Sequence, residues 1–230
     1  MRADELFSFP ESLPFKEWFQ PDASPWTWVS AIAQALDAYD WNALTEAMPP
    51  QFIPPGVTVS GSVFIHRTVK LPPACVIQGP SWLGPDVEVR PNAFIRGNVI
   101  AGKGSVLGNC CEYKNCLLLE RVETPHYNYV GDSVLGNAAH LGAGAICANL
   151  KLSRDEVKVR IPGKGLQGTG RRKLGALIGD GAEAGCNCVL QPGTILGKRA
   201  VVLAPSFRGY LAAGKMAIAR WETGVVDRPE

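Results

Sequence analysis

From Ile53 onward the chain repeats itself every six residues. Aliphatic or similar residues stand at Ile53, Val59, Ile65, Leu71, Ile77, Leu83, Val89, Ile95, Ala101, Leu107, Tyr113 and Leu119. A series of smaller residues runs four places behind: Val57, Val63, Val69, Cys75, Ser81, Val87, Ala93, Val99, Ser105 and Cys111. Self-similarity at a fixed period marks a solenoid, in which no repeat can bury its apolar face alone. Turn residues ("LGPD", "VRPN", "IRGN", "AGKG") separate the short extended segments, which predicts a parallel β-helix with one strand per hexad on each wall. The aliphatic residue points inward and the small one fills the corner. Equivalent residues on successive coils then stack roughly 4.8 Å apart. The predicted fold class is an all-β solenoid.

Two segments interrupt the beat. Across "VETPHYNYVGD", Val122 to Asp132, the pattern would put Pro125 and Gly131 in the core. It breaks instead and resumes in a new phase at Tyr129, Leu135, Leu141 and Cys147. The expectation is a loop that leaves the coil and displays His126. A second excursion covers about residues 150–177, with "VKVRI" as a strand between Gly-rich flanks. It carries Lys151, Arg154, Lys158, Arg160, Lys164, Arg171, Arg172 and Lys173. The beat returns at Ile178, Ala184, Leu190, Leu196 and Val202, with Ala182, Cys188, Thr194, Ala200 and Ser206 in the small series. Insertions on a solenoid commonly build its binding face.

Residues 1–52 read as a short N-terminal helical extension, 53–220 as the β-helix and 221–230 as a C-terminal tail. In "SPWTWVSAIAQALDAY", Ser24 suits a cap and Pro25 the first helical position. Trp28, Val29, Ile32, Leu36 and Tyr39 share an apolar face that is expected to dock on the rest of the chain.

Charge changes little in this picture: 23 Lys and Arg against 21 Asp and Glu give a net +2. Bulk electrostatics therefore argue against a nucleic-acid or membrane partner, and any anion site must be local. The first residues have no apolar signal region and no segment has the length of a membrane span, so a cytoplasmic protein is expected. Of the seven cysteines, Cys75, Cys111 and Cys188 fall in the small series and Cys147 in the aliphatic one. They read as reduced structural thiols, because "CC" and "CNC" lack the spacing of a zinc knuckle.

This beat, with "LGAGAICANL" and "HYNYVGD", resembles the hexapeptide-repeat acyltransferases. It is most similar to the acetyltransferase half of bifunctional N-acetylglucosamine-1-phosphate uridyltransferase/glucosamine-1-phosphate acetyltransferase and related sugar-1-phosphate acyltransferases. The likeness covers about residues 53–215. It implies a left-handed parallel β-helix, where ordinary crossovers are right-handed, and a homotrimer with sites between neighbouring subunits.

It also implies roles. His126, Tyr129, Gly131 and Asp132 match "H-x-x-Y-x-G-D", with His126 as catalytic base. Lys114 in "LGNCCEYK" matches the lysine that contacts the sugar phosphate. Arg96, eighteen residues and one coil earlier, is preferred to Arg90 as its companion. Lys173 stands as the second substrate lysine and His140 where the bifunctional enzyme has Asn. Ala143, Asn149, Cys186 and Ala204 match positions near acetyl-CoA. Leu150 replaces a Tyr, the insertion is longer, and the nucleotidyltransferase half is not matched, so uridylyl transfer is not expected.

Acyl transfer to an amine needs a base, donors for a tetrahedral oxyanion and cations for phosphate. Histidine exchanges its proton near neutral pH, and Arg96, Lys114 and Lys173 supply the cations. The resemblance thus implies an acetyl-CoA-dependent N-acetyltransferase for an amino-sugar 1-phosphate such as glucosamine-1-phosphate, with no metal. The plainer readings are a turn histidine and a solvated charged face. Arg171 and Arg172 suit either coenzyme phosphates or a neighbouring subunit, and Arg208, Lys215 and Arg220 are weaker coenzyme candidates. Two alternatives stand. One is a zinc enzyme using His66, His126 and His140, although His66 is about three coils away. The other is a non-catalytic partner or scaffold of a separate nucleotidyltransferase.

Overall fold

The computed structural model describes residues 1–41 and 52–219; the expected tail at 221–230, and Arg220, lie outside the described residues. The hexads wind into a solenoid of three parallel walls. The first wall runs from Gly56–Ser60 through Ala74–Gln78, Phe94–Arg96, Glu112–Leu118, Tyr129–Leu135, Ile146–Cys147 and Val189–Leu190 to Ser206–Phe207. The second includes Ser81–Leu83, Val99–Ala101, Ala176–Ile178 and Thr194–Leu196. The third includes Val106–Asn109, Glu123–His126, His140–Leu141, Glu183–Ala184 and Val201–Leu203.

The register stacks like on like. Ile77, Ile95, Tyr113, Val130, Cys147, Leu190 and Phe207 follow one another up the first wall. This column fills the core with its counterparts Leu83, Ala101, Leu118, Leu135 and Ile178 on the second wall. Val59 pairs with Ile77 yet remains exposed because, among the described residues, no strand pairs beneath the first coil.

The phase change lies elsewhere than the sequence suggested. Ile95 pairs with Tyr113, eighteen residues on, but Ala101 pairs with Leu118, seventeen on. One residue is lost at the corner Lys114–Asn115, and Glu112–Leu118 rounds it as a single strand. Asn115 there takes φ 49°, and Asp132 takes φ 47° at the same corner one coil up. The inward residues become Leu118, Thr124 and Val130, in place of Leu119, Pro125 and Tyr129. The expected loop at 122–132 is therefore absent: Glu123–His126 is a strand paired on both sides, and the coil is continuous through it. Tyr113 takes an aliphatic position because Thr124 faces it: the phenol accepts from Gly108 N (2.9 Å) and lies 2.6 Å from Thr124 Oγ1.

The extension folds over the outer face of the second wall. After a 3-10 turn at Pro25–Thr27 comes the helix Trp28–Asp37, which buries Trp28, Val29, Ile32 and Leu36. With Phe7, Phe15 and Phe19 they cover Trp82, Ile100, Leu117, Val134, Leu177 and Ile195. Each large side chain so buried contributes roughly 1.5–3 kcal/mol. The insertion forms an antiparallel hairpin, Lys158–Ile161 with Gly165–Gly168. Its alternation turns Val157, Val159 and Ile161 into that same apolar layer and leaves Lys158 and Arg160 outside.

Candidate active site

Two groups of predicted residues gather at opposite edges of the first wall. Leu141, Ala184 and Val202 are in register on the third wall. Two residues beyond each, at the corner into the first wall, stand Ala143, Cys186 and Ala204. His126 occupies the same place one coil below: it lies two beyond Thr124, and its carbonyl accepts from Gly144 N at 3.0 Å. His126, Ala143, Cys186 and Ala204 thus form one column, in which His126 and Cys186 are exposed. His126 is held from behind by the buried Asn128. The Asn128 Oδ1 accepts from His126 N (3.2 Å), while its Nδ2 donates to the Gly142 and Ala145 carbonyls at 2.8 and 3.2 Å.

The second group surrounds Asp132 at the shortened corner. This side chain is only 4% exposed, so its charge must be met by donors. Asn115 Nδ2 donates to it at 2.7 Å and Asn149 Nδ2 at 2.5 Å. Lys114 Nζ lies 3.4 Å away and Arg171 3.9 Å. The Asn149 carboxamide must turn its nitrogen toward the carboxylate, which leaves its oxygen for another partner. Its nitrogen also donates to the Tyr129 hydroxyl at 3.2 Å. Burial, with the Glu112 and Asp132 carboxylates nearby, raises the Tyr129 phenol, so it stays protonated and keeps its own proton to donate.

Arg171 reaches this corner from the insertion. It hydrogen-bonds Ser30 of the N-terminal helix and the Lys173 carbonyl, and burial lowers its guanidinium against the pull of Asp132. Lys173 bridges to Leu150 through the backbone, and Leu174 N donates to the Asn149 carbonyl at 3.0 Å. The insertion therefore leaves and rejoins the coil at this corner.

Arg96 is the next residue after Ile95 and Lys114 the next after Tyr113, so Arg96 sits beneath Lys114, paired with Glu112 and 5.6 Å over the Phe94 ring. Arg90 instead pairs with Glu88 at 2.7 Å. His140 stands apart, on the outer face of the third wall, with Nδ1 3.2 Å from Glu123 Oε2. Among the described residues no group of three or more His, Cys, Asp or Glu is placed to hold a metal ion. In the sequence Asp132 stands only as the last letter of a motif and Asn128 carries no role, while Arg171, expected to meet coenzyme phosphates or a neighbouring subunit, instead reaches toward Asp132. The signal for Asp132 was the five-residue step between Val130 and Leu135, legible only once Leu118 rather than Leu119 is placed inward.

Residues 59–162 match the family described as the GMPPB C-terminal domain. The chain is 31% identical over 185 residues to the bifunctional sugar-1-phosphate nucleotidylyltransferase/acetyltransferase of Sulfurisphaera tokodaii, covering 80% of this chain and 45% of that protein. It is 32% identical over 146 residues to the bifunctional protein GlmU of Methanococcus vannielii, covering 64% and 35%. The chain thus matches less than half the length of these relatives. Among solved structures, the acetyltransferase domain of PglB from Neisseria gonorrhoeae aligns at 15% identity with a TM-score of 0.28, over 72% of this chain and 55% of that one, too loosely to bear on function. The chain carries a hexapeptide-repeat domain related to the acetyltransferase domains of the GlmU and sugar-1-phosphate nucleotidylyltransferase/acetyltransferase proteins.

Proposed function

We propose that this chain is an acetyltransferase that moves the acetyl group of acetyl-CoA to the amine of an amino-sugar 1-phosphate, glucosamine-1-phosphate first among them, to supply a sugar-nucleotide precursor in the cytoplasm. The observation that supports this reading is the pairing of an exposed histidine, in a column with Ala143, Cys186 and Ala204, with a cluster of cations and amides on the adjoining wall. Lys114 and Arg96, with Lys173 beside them, hold the phosphate. Tyr129 and Asn149 orient the sugar and the thioester. The amine nitrogen attacks the thioester carbonyl carbon as His126 takes its proton. The tetrahedral oxyanion then collapses, the C–S bond breaks, and His126 returns the proton to the departing thiolate. His140, on another face, serves a sugar contact only across a subunit boundary. The working unit is a homotrimer, in which the two edges of the first wall meet across neighbours.

The test is to incubate the protein with acetyl-CoA and glucosamine-1-phosphate and to follow the acetylated sugar by mass spectrometry. The His126→Ala variant should lose at least about a hundredfold in rate, the usual worth of a general base. Equal product from wild type and variant would remove His126 from the chemistry. A protein that does not bind acetyl-CoA would be the non-catalytic subunit instead.

A further inference from the structure

The insertion carries eight Lys and Arg against Asp155 and Glu156, in a chain whose net charge is only +2. Part of that charge converges on a cavity at the same edge of the first wall as the Asp132 corner, two coils above it. Lys158 and Arg160, the outward residues of the hairpin, face Arg208 across the turn residues Pro192, Gly193 and Gly209, around a cavity of about 340 Å³. None of these three cations forms an ion pair among the described residues. A hydrophobic strand face fixes the hairpin, so its two cations are held in place from behind. An adjoining cavity of about 510 Å³ shares Pro192 and Arg208 and is lined by Ala148, Leu150 and Leu152. Leu152 is fully exposed, an apolar side chain left in water beside a cationic pocket.

We propose that these joined cavities bind a nucleoside diphosphate, with the diphosphate among Lys158, Arg160 and Arg208 and the base against Leu150, Leu152 and Pro192. Two or three unpaired cations offset a diphosphate, and Arg offers the fork that matches its oxygens. An apolar shelf with a few convergent polar groups is how such ligands are usually held. The pocket lies at the edge of the first wall that adjoins the second, not on the column of His126, Ala143, Cys186 and Ala204. Its occupant is a free nucleotide, distinct from the acyl donor.

The experiment titrates the full chain with ADP by calorimetry and does not depend on the acyl-transfer reading, since no turnover is read. Saturable binding that weakens with salt is expected. It should weaken at least about tenfold in the Arg160→Ala/Arg208→Ala double variant and less in Leu152→Ser, and stay unchanged in Arg154→Ala and Lys164→Ala, which alter the same insertion outside the cavities. All these side chains are exposed, and a melting curve for each variant checks that it folds. Absence of saturable binding, or full binding by the double variant, overturns the proposal. Inorganic pyrophosphate binding as tightly as ADP would overturn the base shelf. Simultaneous binding of ADP and acetyl-CoA is expected; displacement of ADP by acetyl-CoA would overturn the proposal, since the cavity would then be the donor's own.

Discussion

Gly131 shows how much of the candidate site rests on one missing methyl group. A Cβ there would lie 2.5 Å from the Tyr129 hydroxyl and 2.8 Å from Asn149 Nδ2, both ends of side chains that can move. Gly175, on the next coil, is different: its Cβ would lie 2.2 Å from the Gly131 carbonyl oxygen, which is fixed in the wall. Gly131→Ala should therefore push Tyr129 and Asn149 apart and lower acetyl transfer at least about tenfold, with stability changed by only about 1 kcal/mol. Gly175→Ala should instead unfold at clearly lower denaturant, by roughly 2 kcal/mol or more, because overpacking against backbone has no cheap relief. Denaturation curves and rates measured on both variants separate the two effects. A Gly131→Ala enzyme with normal turnover would mean that the Tyr129–Asn149 contact has no part in the reaction.

At the scale of the strand and the coil, the hexad was legible because the core is a single column per wall, and only apolar side chains fit a column with no solvent face. Its phase was not legible at "CLLLE". Leu118 faces the coil interior while Leu117 and Leu119 face the N-terminal extension, so both sides of the second wall are buried and alternation vanishes. In the sequence the break therefore becomes visible only downstream, at Pro125, although the residue is lost at Lys114–Asn115. The positions of His126, Ala143, Cys186 and Ala204 come from the resemblance and do not depend on which leucine is inward, whereas the Asp132 cluster depends on a shortened corner.

The cysteines test the column directly. Cys75, Cys111, Cys116, Cys147 and Cys188 are buried, and Cys110 and Cys186 are exposed. Burial pushes the Cys147 thiol up to about 12 and those of Cys75 and Cys188 to about 11, which withholds the reactive thiolate. Brief maleimide treatment of the native protein should label only Cys110 and Cys186, read by peptide mass spectrometry. Acetyl-CoA should protect Cys186 and leave Cys110 reactive. Equal labelling of Cys186 with and without acetyl-CoA would place the coenzyme away from the column.

At the scale of the whole molecule, the three walls differ in what covers them. The second lies under the extension and the hairpin, while outward residues of the first and third, such as Val76, Ile146 and Leu203, remain exposed. His126 stands where the third wall turns into the first, and Lys114 where the first turns into the second. Corners of a three-walled coil face away from one another, so a ligand lying against one protomer cannot easily meet both groups. Two copies packed with the first wall at their boundary bring one protomer's His126 toward the other's Lys114. A mixed assembly distinguishes the arrangements. His126→Ala and Lys114→Ala should each be inactive alone. Co-expressed in equal amounts and assembled at random, they should recover about a quarter of wild-type activity, because one boundary in four then pairs an intact His126 with an intact Lys114. If both residues serve a site within one protomer, every chain carries one lesion and mixing restores nothing. Recovery read together with a mass three times that of the chain would establish a shared site and its trimer in one preparation.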